Sequence, residues 1–339
     1  MSVLNHHELA TRLGVKSAAQ VLDEADQAVR AGDVFGAAVR PTGFAPLDAH
    51  LAGGIRAGEL VLLGGVQGLG KTTFALQVAR NIAAAGGHAL YVSYEHDLAN
   101  VLERLLVLES GLCSQRSDLT VNQVRRALGA CGGRPQAGMA DLLAPYEGSA
   151  DALESLRSYA DRLHVMPARG DVTTLDHVRA AVDALGEQRP AVFLDYLQKV
   201  AVDGDVDDDA RISRVGTGAK DLALDAEVPV FAVAAVDRAG LDSKRARPRH
   251  LRGAATLAYE ADVILLLNNK YDVVARHHLV YDTVRADRYH DWVVCTVEKN
   301  RNGEDGLELE FHRRFTESRY DPHGGMVAEQ LLDDRVHLD

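Results

Sequence analysis

The stretch Gly65-Val66-Gln67-Gly68-Leu69-Gly70-Lys71-Thr72 fits the spacing G-x-x-x-x-G-K-[ST], and no other part of the chain limits its fold so strongly. Before it stands Glu59-Leu60-Val61-Leu62-Leu63, a short apolar run that suits a buried strand. After it, Phe74, Val78 and Ile82 recur at helical spacing. A strand, a glycine turn and a helix in this order aim backbone N–H groups and the positive end of a helix at one point, which suits a triphosphate. Gly65, Gly68, Gly70 and the opening residues Thr72 and Thr73 form the expected binding loop, with Lys71 bridging the outer phosphates and Thr72 holding Mg²⁺.

Around this loop the pattern alternates. Strands are expected at 59–64, 89–94, 163–167, 190–196, 228–236 and 261–268, and helices at 72–85, 97–110, 119–129, 150–161, 174–187 and 211–226, with a loop at 130–140. That order predicts an α/β fold whose mostly parallel central sheet is flanked by helices. The far end differs: Trp292 to Glu298 and Leu307 to Phe315 flank the turn Asn300 to Gly306, an antiparallel hairpin. Ala18, Val21, Leu22, Ala25, Ala28 and Val29 line one face of a helix over 17–31 that Gly32 ends. The expected organisation is a helical segment and linker over 1–40, an ATPase domain over 41–322 and a tail over 323–339.

Composition narrows the function classes. A net charge of −12 over 339 residues excludes a protein that coats nucleic acid by bulk charge, so such contact needs a local basic patch. Cys113, Cys131 and Cys295 lie far apart without a C-x-x-C pair, which suits a reducing cytoplasm and offers no zinc framework. No signal peptide or membrane span is visible.

Two carboxylates complete the expected chemistry. Asp195 ends the apolar strand Ala191 to Leu194, the position from which an aspartate holds the hydration shell of Mg²⁺. Glu95 ends the strand Leu90 to Tyr94 and is the candidate to orient or deprotonate water. Lys299 and Arg301 share a side of their strand; on the residues alone a solvated hairpin tip is favoured over a pair of phosphate-reaching fingers. Lys244, Arg245, Arg247 and Arg249 form a basic loop that would grip the phosphates of a single strand, or equally stand solvated or pair with the acidic stretch Asp203, Asp205, Asp207, Asp208 and Asp209. That stretch lacks the glycine and terminal glutamate of a calcium loop and reads as solvated, and the adjacent pairs His6-His7 and His277-His278 read as surface residues.

With these residues assembled, the chain resembles the carboxyl-terminal motor domain of the DnaB family of replicative DNA helicases, within the RecA-like P-loop ATPases. The resemblance is carried in order by Thr42-Gly43-Phe44 with Leu47-Asp48, Gly70 to Leu76, Ser93-Tyr94-Glu95, Asp195-Tyr196-Leu197-Gln198, Ala219 to Ala223, Asp262-Val263-Ile264 and Lys299-Asn300-Arg301-Asn302-Gly303. It implies ATP with Mg²⁺, Glu95 as the group that activates water, and Lys299 with Arg301 as fingers reaching a neighbour's nucleotide. It also implies a hexameric ring, single-stranded DNA held by the loop 244–249, and a helix 17–31 that docks on the adjacent subunit. The family's large amino-terminal collar domain has no counterpart in the residues before Thr42. Ala235 stands where the family carries a glutamine, and Gly253 where it carries a glutamate. Alanine cannot hydrogen-bond a phosphate through its side chain, so a switch or scaffold for protein partners, or a recombination or repair ATPase, is the alternative reading.

Overall fold

A computed structural model of the chain describes residues 15–32, 36–114, 117–129, 138–204, 207–275 and 283–332. The chain forms two compact units, residues 1–38 and 39–339. The first contains helix α1 (Ala18–Ala31), which begins with a reciprocal capping box between Ser17 and Gln20 and ends at Gly32 in the left-handed region at φ 78°.

The second unit is built on a ten-stranded sheet. A separate pair, β1 (Val39–Arg40) and β2 (Ile55–Arg56), precedes it. The strands of the large sheet are β3 (Leu60–Gly65), β4 (Ala89–Ser93), β5 (Leu163–Pro167), β6 (Ala191–Asp195), β7 (Val230–Val233), β8 (Val263–Asn269), β9 (Trp292–Asn300), β10 (Leu307–Arg314), β11 (Arg319–Tyr320) and β12 (Gly325–Met326). Their order is β11-β10-β9-β8-β3-β7-β6-β4-β5, with β12 also on β10. Strands β3 to β8 pair in parallel, and β9 joins β8 antiparallel. Every residue of β3, β4, β6 and β7 is buried, as strands covered on both faces must be.

Helices α2 (Lys71–Ala84), α3 (Leu98–Cys113), α4 (Val121–Gly129) and α5 (Ser149–Tyr159) contribute to one core layer, with α6 (Leu175–Leu185), α7 (Asp208–Asp225) and α8 (Ala254–Glu260) in the other. In the first layer Phe44 stacks on Phe74 at 4.3 Å between centroids, and Phe311 meets Phe44 edge-on at 5.1 Å. These contacts bind the entry segment, the phosphate-loop helix and the far hairpin into one core. The second layer packs Ile212, Val215 and Leu222 of α7 beneath Leu60 and Leu62 of β3.

The expected strands and helices are present, with ends displaced by a few residues; α7 starts at Asp208 because Asp207 caps it, accepting from the Ala210 N–H at 2.8 Å. Of the expected loop 130–140, residues 130–137 lie outside the described residues, while Met139–Leu143 forms a short helix. The acidic stretch also changes character: Asp207 is that cap, and Asp208 accepts from Arg211 and Arg252. Residues 323–332, expected to open a tail, fold against the unit. β12 pairs with β10, and Glu329 bonds the buried ammonium of Lys270 at 2.7 Å. Asp205, Cys131, His6-His7 and His277-His278 lie outside the described residues.

Candidate active site

A cavity of about 680 Å³ opens at the carboxyl ends of β3, β4 and β6, lined by Gly65, Gln67, Gly68, Gly70, Lys71, Thr72, Thr73, Glu95 and Asp195 among others. All of the expected phosphate-loop residues and both expected carboxylates therefore converge. Gly65 must be glycine on two counts: its φ is +146°, and a Cβ would stand 2.6 Å from the Leu267 carbonyl oxygen. A Cβ at Gly70 would come equally close to the Phe315 ring. Lys71 donates to the carbonyl oxygens of Gly65 at 2.8 Å and Val66 at 3.0 Å. Burial pushes its ammonium below the ordinary lysine range, opposed by the charges of Asp195 and Glu95.

Asp195 is 1% exposed. Its Oδ2 accepts from the Tyr91 hydroxyl at 2.8 Å, whereas Oδ1 is buried with no hydrogen-bond partner. Burial pushes the carboxyl above the usual range, opposed by hydrogen bonding from Tyr91 and Thr72. A buried carboxylate oxygen without a partner, beside a threonine hydroxyl and a loop of backbone N–H groups, fits a Mg²⁺ ion that keeps most of its waters. No cluster of three or more histidine, cysteine or acidic side chains suited to a metal occurs among the described residues.

Glu95 stands on the cavity wall with its side chain 38% exposed and Lys199 3.7 Å away. Its position follows from local chemistry: Ser93 Oγ donates to the His96 carbonyl and accepts the His96 N–H, folding a turn around Glu95, and Asp97 then caps α3. Lys199, Arg104 and Phe315 also belong to this neighbourhood, and the sequence reading omitted them. Arg104 was legible, since Asn100 and Arg104 sit four residues apart on the helix that begins beside Glu95.

Lys299 and Arg301 lie elsewhere. Gly65 pairs with Leu267 and Val61 with Val263, which pairs with Asn300. The turn that carries them is thus displaced by four rows, about 13 Å along the strand direction, and stands at the opposite end of the sheet. Both side chains do share a side: Lys299 donates to the carbonyls of Ala258 and Ala261 at the end of α8, and Arg301 to Tyr259 O at 2.6 Å.

The basic loop divides. Lys244 and Arg249 are exposed, but Arg245 and Arg247 are buried. Arg245 donates to the Leu332 carbonyl at 2.9 Å and to Glu308, and Arg247 pairs with Glu298 at 2.9 Å. The expectation of four outward cations is corrected to two, because β9 and β10 supply carboxylates beneath the loop. Gln198, which the sequence offers only as the end of the run Asp195 to Gln198, makes contacts that run did not announce. Its amide Oε1 accepts the Ala235 N–H at 3.0 Å and its Nε2 donates to the Arg252 carbonyl at 3.2 Å, so it ties the segment after Asp195 to both ends of the basic loop. Gly253 has φ +83° and a Cβ would meet Ile212 at 2.3 Å, which accounts for glycine rather than glutamate there.

Residues 40–130 and 149–319 match the family model described as the DnaB-like helicase C terminal domain. The chain belongs to this family. It is 22% identical over 313 residues to the replicative DNA helicase DnaC of Bacillus subtilis, covering 87% of this chain and 60% of that protein. It is 25% identical over 283 residues to the replicative DNA helicase DnaB of Treponema pallidum, covering 81% and 54%. The DnaB-like chain thus spans a little over half the length of these curated relatives. A shorter match, 45% over 64 residues, is to the DNA repair protein RadA of Campylobacter jejuni, covering 19% of this chain and 14% of that one. Among solved structures, one described as an ATPase domain superposes with a TM-score of 0.69 at 18% identity, covering 90% of this chain and 98% of that one. A DnaB-like replicative helicase described with its primase interactions gives 0.68 at 16%, covering 93% and 70%. Both likenesses are of fold, and they agree with a RecA-like core.

Proposed function

We propose that this DnaB-like domain is a Mg²⁺-dependent ATPase of helicase type that works as an oligomer, most simply a hexameric ring, and couples hydrolysis to movement along single-stranded DNA. One observation carries the reading: Lys71, Thr72, Glu95 and Asp195 share a cavity, while Lys299 and Arg301 stand at the far end of the same sheet. Fingers so placed serve a nucleotide on another copy.

In this reading the loop N–H groups and Lys71 bind the phosphates, and Thr72 with Asp195 holds Mg²⁺. When bound there, Mg²⁺ would supply Lewis-acid stabilisation of the phosphate charge. Glu95 takes a proton from a water that attacks the γ-phosphorus in line; the bond to the bridging oxygen breaks, and ADP leaves with the electron pair. Lys299 and Arg301 of the neighbouring copy offset the charge spread over the equatorial oxygens. Lys244 and Arg249 supply phosphate contacts to DNA. Gln198 takes the place of the glutamine absent at Ala235 in linking nucleotide site and basic loop. The separated cysteines, Cys113 exposed and Cys295 buried, suit a cytoplasmic setting.

A second reading, a nucleotide-dependent switch for protein partners, is favoured by the internal pairing of Arg245 and Arg247, which halves the basic surface. ATP turnover with and without single-stranded DNA, measured beside the mass of the assembly, separates the two. Stimulation by DNA in a hexamer is expected. A hexamer indifferent to DNA moves the assignment to the switch, and a monomer with undiminished turnover refutes action across subunits.

A further inference from the structure

The turn that carries Arg301 is held by a carboxylate so far given no task. Asp262 immediately precedes β8 and is 5% exposed. Its Oδ2 accepts from Lys220 Nζ at 2.7 Å and from the Leu60 N–H at 2.8 Å, and its Oδ1 from the Arg301 guanidinium at 3.2 Å. Its carbonyl oxygen accepts the Arg301 N–H at 2.9 Å. Lys220, on α7, also donates to the Gly58 carbonyl at 2.8 Å and has a side chain 12% exposed. Beside them Glu59 accepts from Asn302 at 2.6 Å, fixing the other side of the turn.

The charges explain the arrangement. A buried carboxylate facing one arginine would consume the guanidinium's charge in a closed pair. Here Lys220 sits at the short distance and cancels Asp262, while Arg301 takes the longer contact and keeps its side chain 43% exposed. The bonds to Asp262 Oδ1 and to the Tyr259 carbonyl at 2.6 Å fix where the guanidinium points, while Asp262, shared with Lys220, leaves one net positive charge on the three groups.

We infer that Asp262 and Lys220 are positioning residues for Arg301, a neutral pair that orients the finger toward the nucleotide held by a neighbouring copy. The inference rests on the action across subunits proposed above. It also gives a role to the lysine of α7, a helix whose first turn reaches the segment after Asp195, where Arg211 donates to the Gln198 carbonyl at 2.5 Å.

The test is Asp262→Asn, which keeps size and an oxygen acceptor but removes the charge. Expected are a fall of about tenfold in kcat for ATP with KM within about twofold, against about a thousandfold for Arg301→Ala. Asp262→Asn should add nothing further in the Arg301→Ala background. Mixing with Lys71→Ala subunits, whose fingers are intact, should restore turnover to Asp262→Asn subunits as it does to Arg301→Ala subunits. Undiminished kcat overturns the inference. So does a deficit that Lys71→Ala subunits do not repair while they repair Arg301→Ala, since that marks damage to the whole fold. If neither variant is repaired, the reading across subunits fails, and the inference falls with it. Where Asp262→Asn does not assemble, Lys220→Arg, which keeps the charge but moves it, carries the same test. Lowered kcat with repair by Lys71→Ala subunits supports the inference; unchanged kcat overturns it.

Discussion

Replacing Arg245 separates two roles that a run of cations conceals. The side chain is 3% exposed, and its guanidinium meets Glu308 and the Leu332 carbonyl, joining the basic loop to β10 and to the last described residue. Arg245→Ala leaves that carboxylate and that carbonyl without their donor. Breaking a fully buried pair costs about 3–5 kcal/mol. Glu308 keeps its side chain 32% exposed and recovers some hydration, so about 2–3 kcal/mol is the reasoned loss. For a domain of this size that lowers Tm by roughly 3–5 °C. The exposed neighbours behave in the opposite way. Lys244→Ala with Arg249→Ala should leave stability within about 0.5 kcal/mol. On the proposed function, the same change should weaken single-strand binding and reduce the salt slope by about 1.4, at about 0.7 per lost phosphate contact. Thermal melts and salt-dependent DNA titrations of the variants side by side decide it. An Arg245→Ala protein that melts within about 1 °C of the parent refutes the reasoning, as does a DNA salt slope changed by Arg245→Ala as strongly as by the exposed pair.

Glu95→Gln should bind ATP with unchanged affinity yet turn over at least about a hundredfold more slowly, read by nucleotide titration beside steady-state hydrolysis; full activity would remove its assignment as base. Gly65→Ala should weaken nucleotide binding severely while the sheet survives, because the new Cβ meets the Leu267 carbonyl, and a titration matching the parent's would contradict the packing. Gln198→Ala should preserve basal ATP turnover within about threefold but abolish stimulation by single-stranded DNA, since the bonds to Ala235 and Arg252 vanish; intact stimulation would show that coupling runs elsewhere.

What the sequence made legible was local or periodic. Gly65 to Thr72 could be read because a strand, three glycines and a helix are consecutive, and Asp195 because it ends an apolar run. The basic loop resisted reading because its partners are remote: Glu308 is 63 residues from Arg245, and Glu298 is 51 from Arg247. Nothing in Lys244-Arg245 says which of two adjacent cations turns inward; the antiparallel hairpin decides it. The same holds for Gln198, whose contact with Ala235 spans 37 residues, and for Asp262, whose contact with Lys220 spans 42. Gly253 likewise looked like a lost glutamate until Ile212 was seen occupying the space where a Cβ would go.

Because β9 runs against β8, Lys299 and Arg301 lie at the opposite end of the sheet from the phosphate loop; on the proposed function each molecule then has a front that holds the triphosphate and a back that completes someone else's. Two copies related by a twofold axis would set front to front or back to back, and neither arrangement finishes a pocket. On that function growth is head to tail. In an open chain of such copies one pocket at an end is always left without its fingers, and only closure into a circle removes the idle end. On this reading hydrolysis per subunit rises as short chains lengthen and reaches its ceiling when the circle shuts, so the architecture itself rewards completion of the ring.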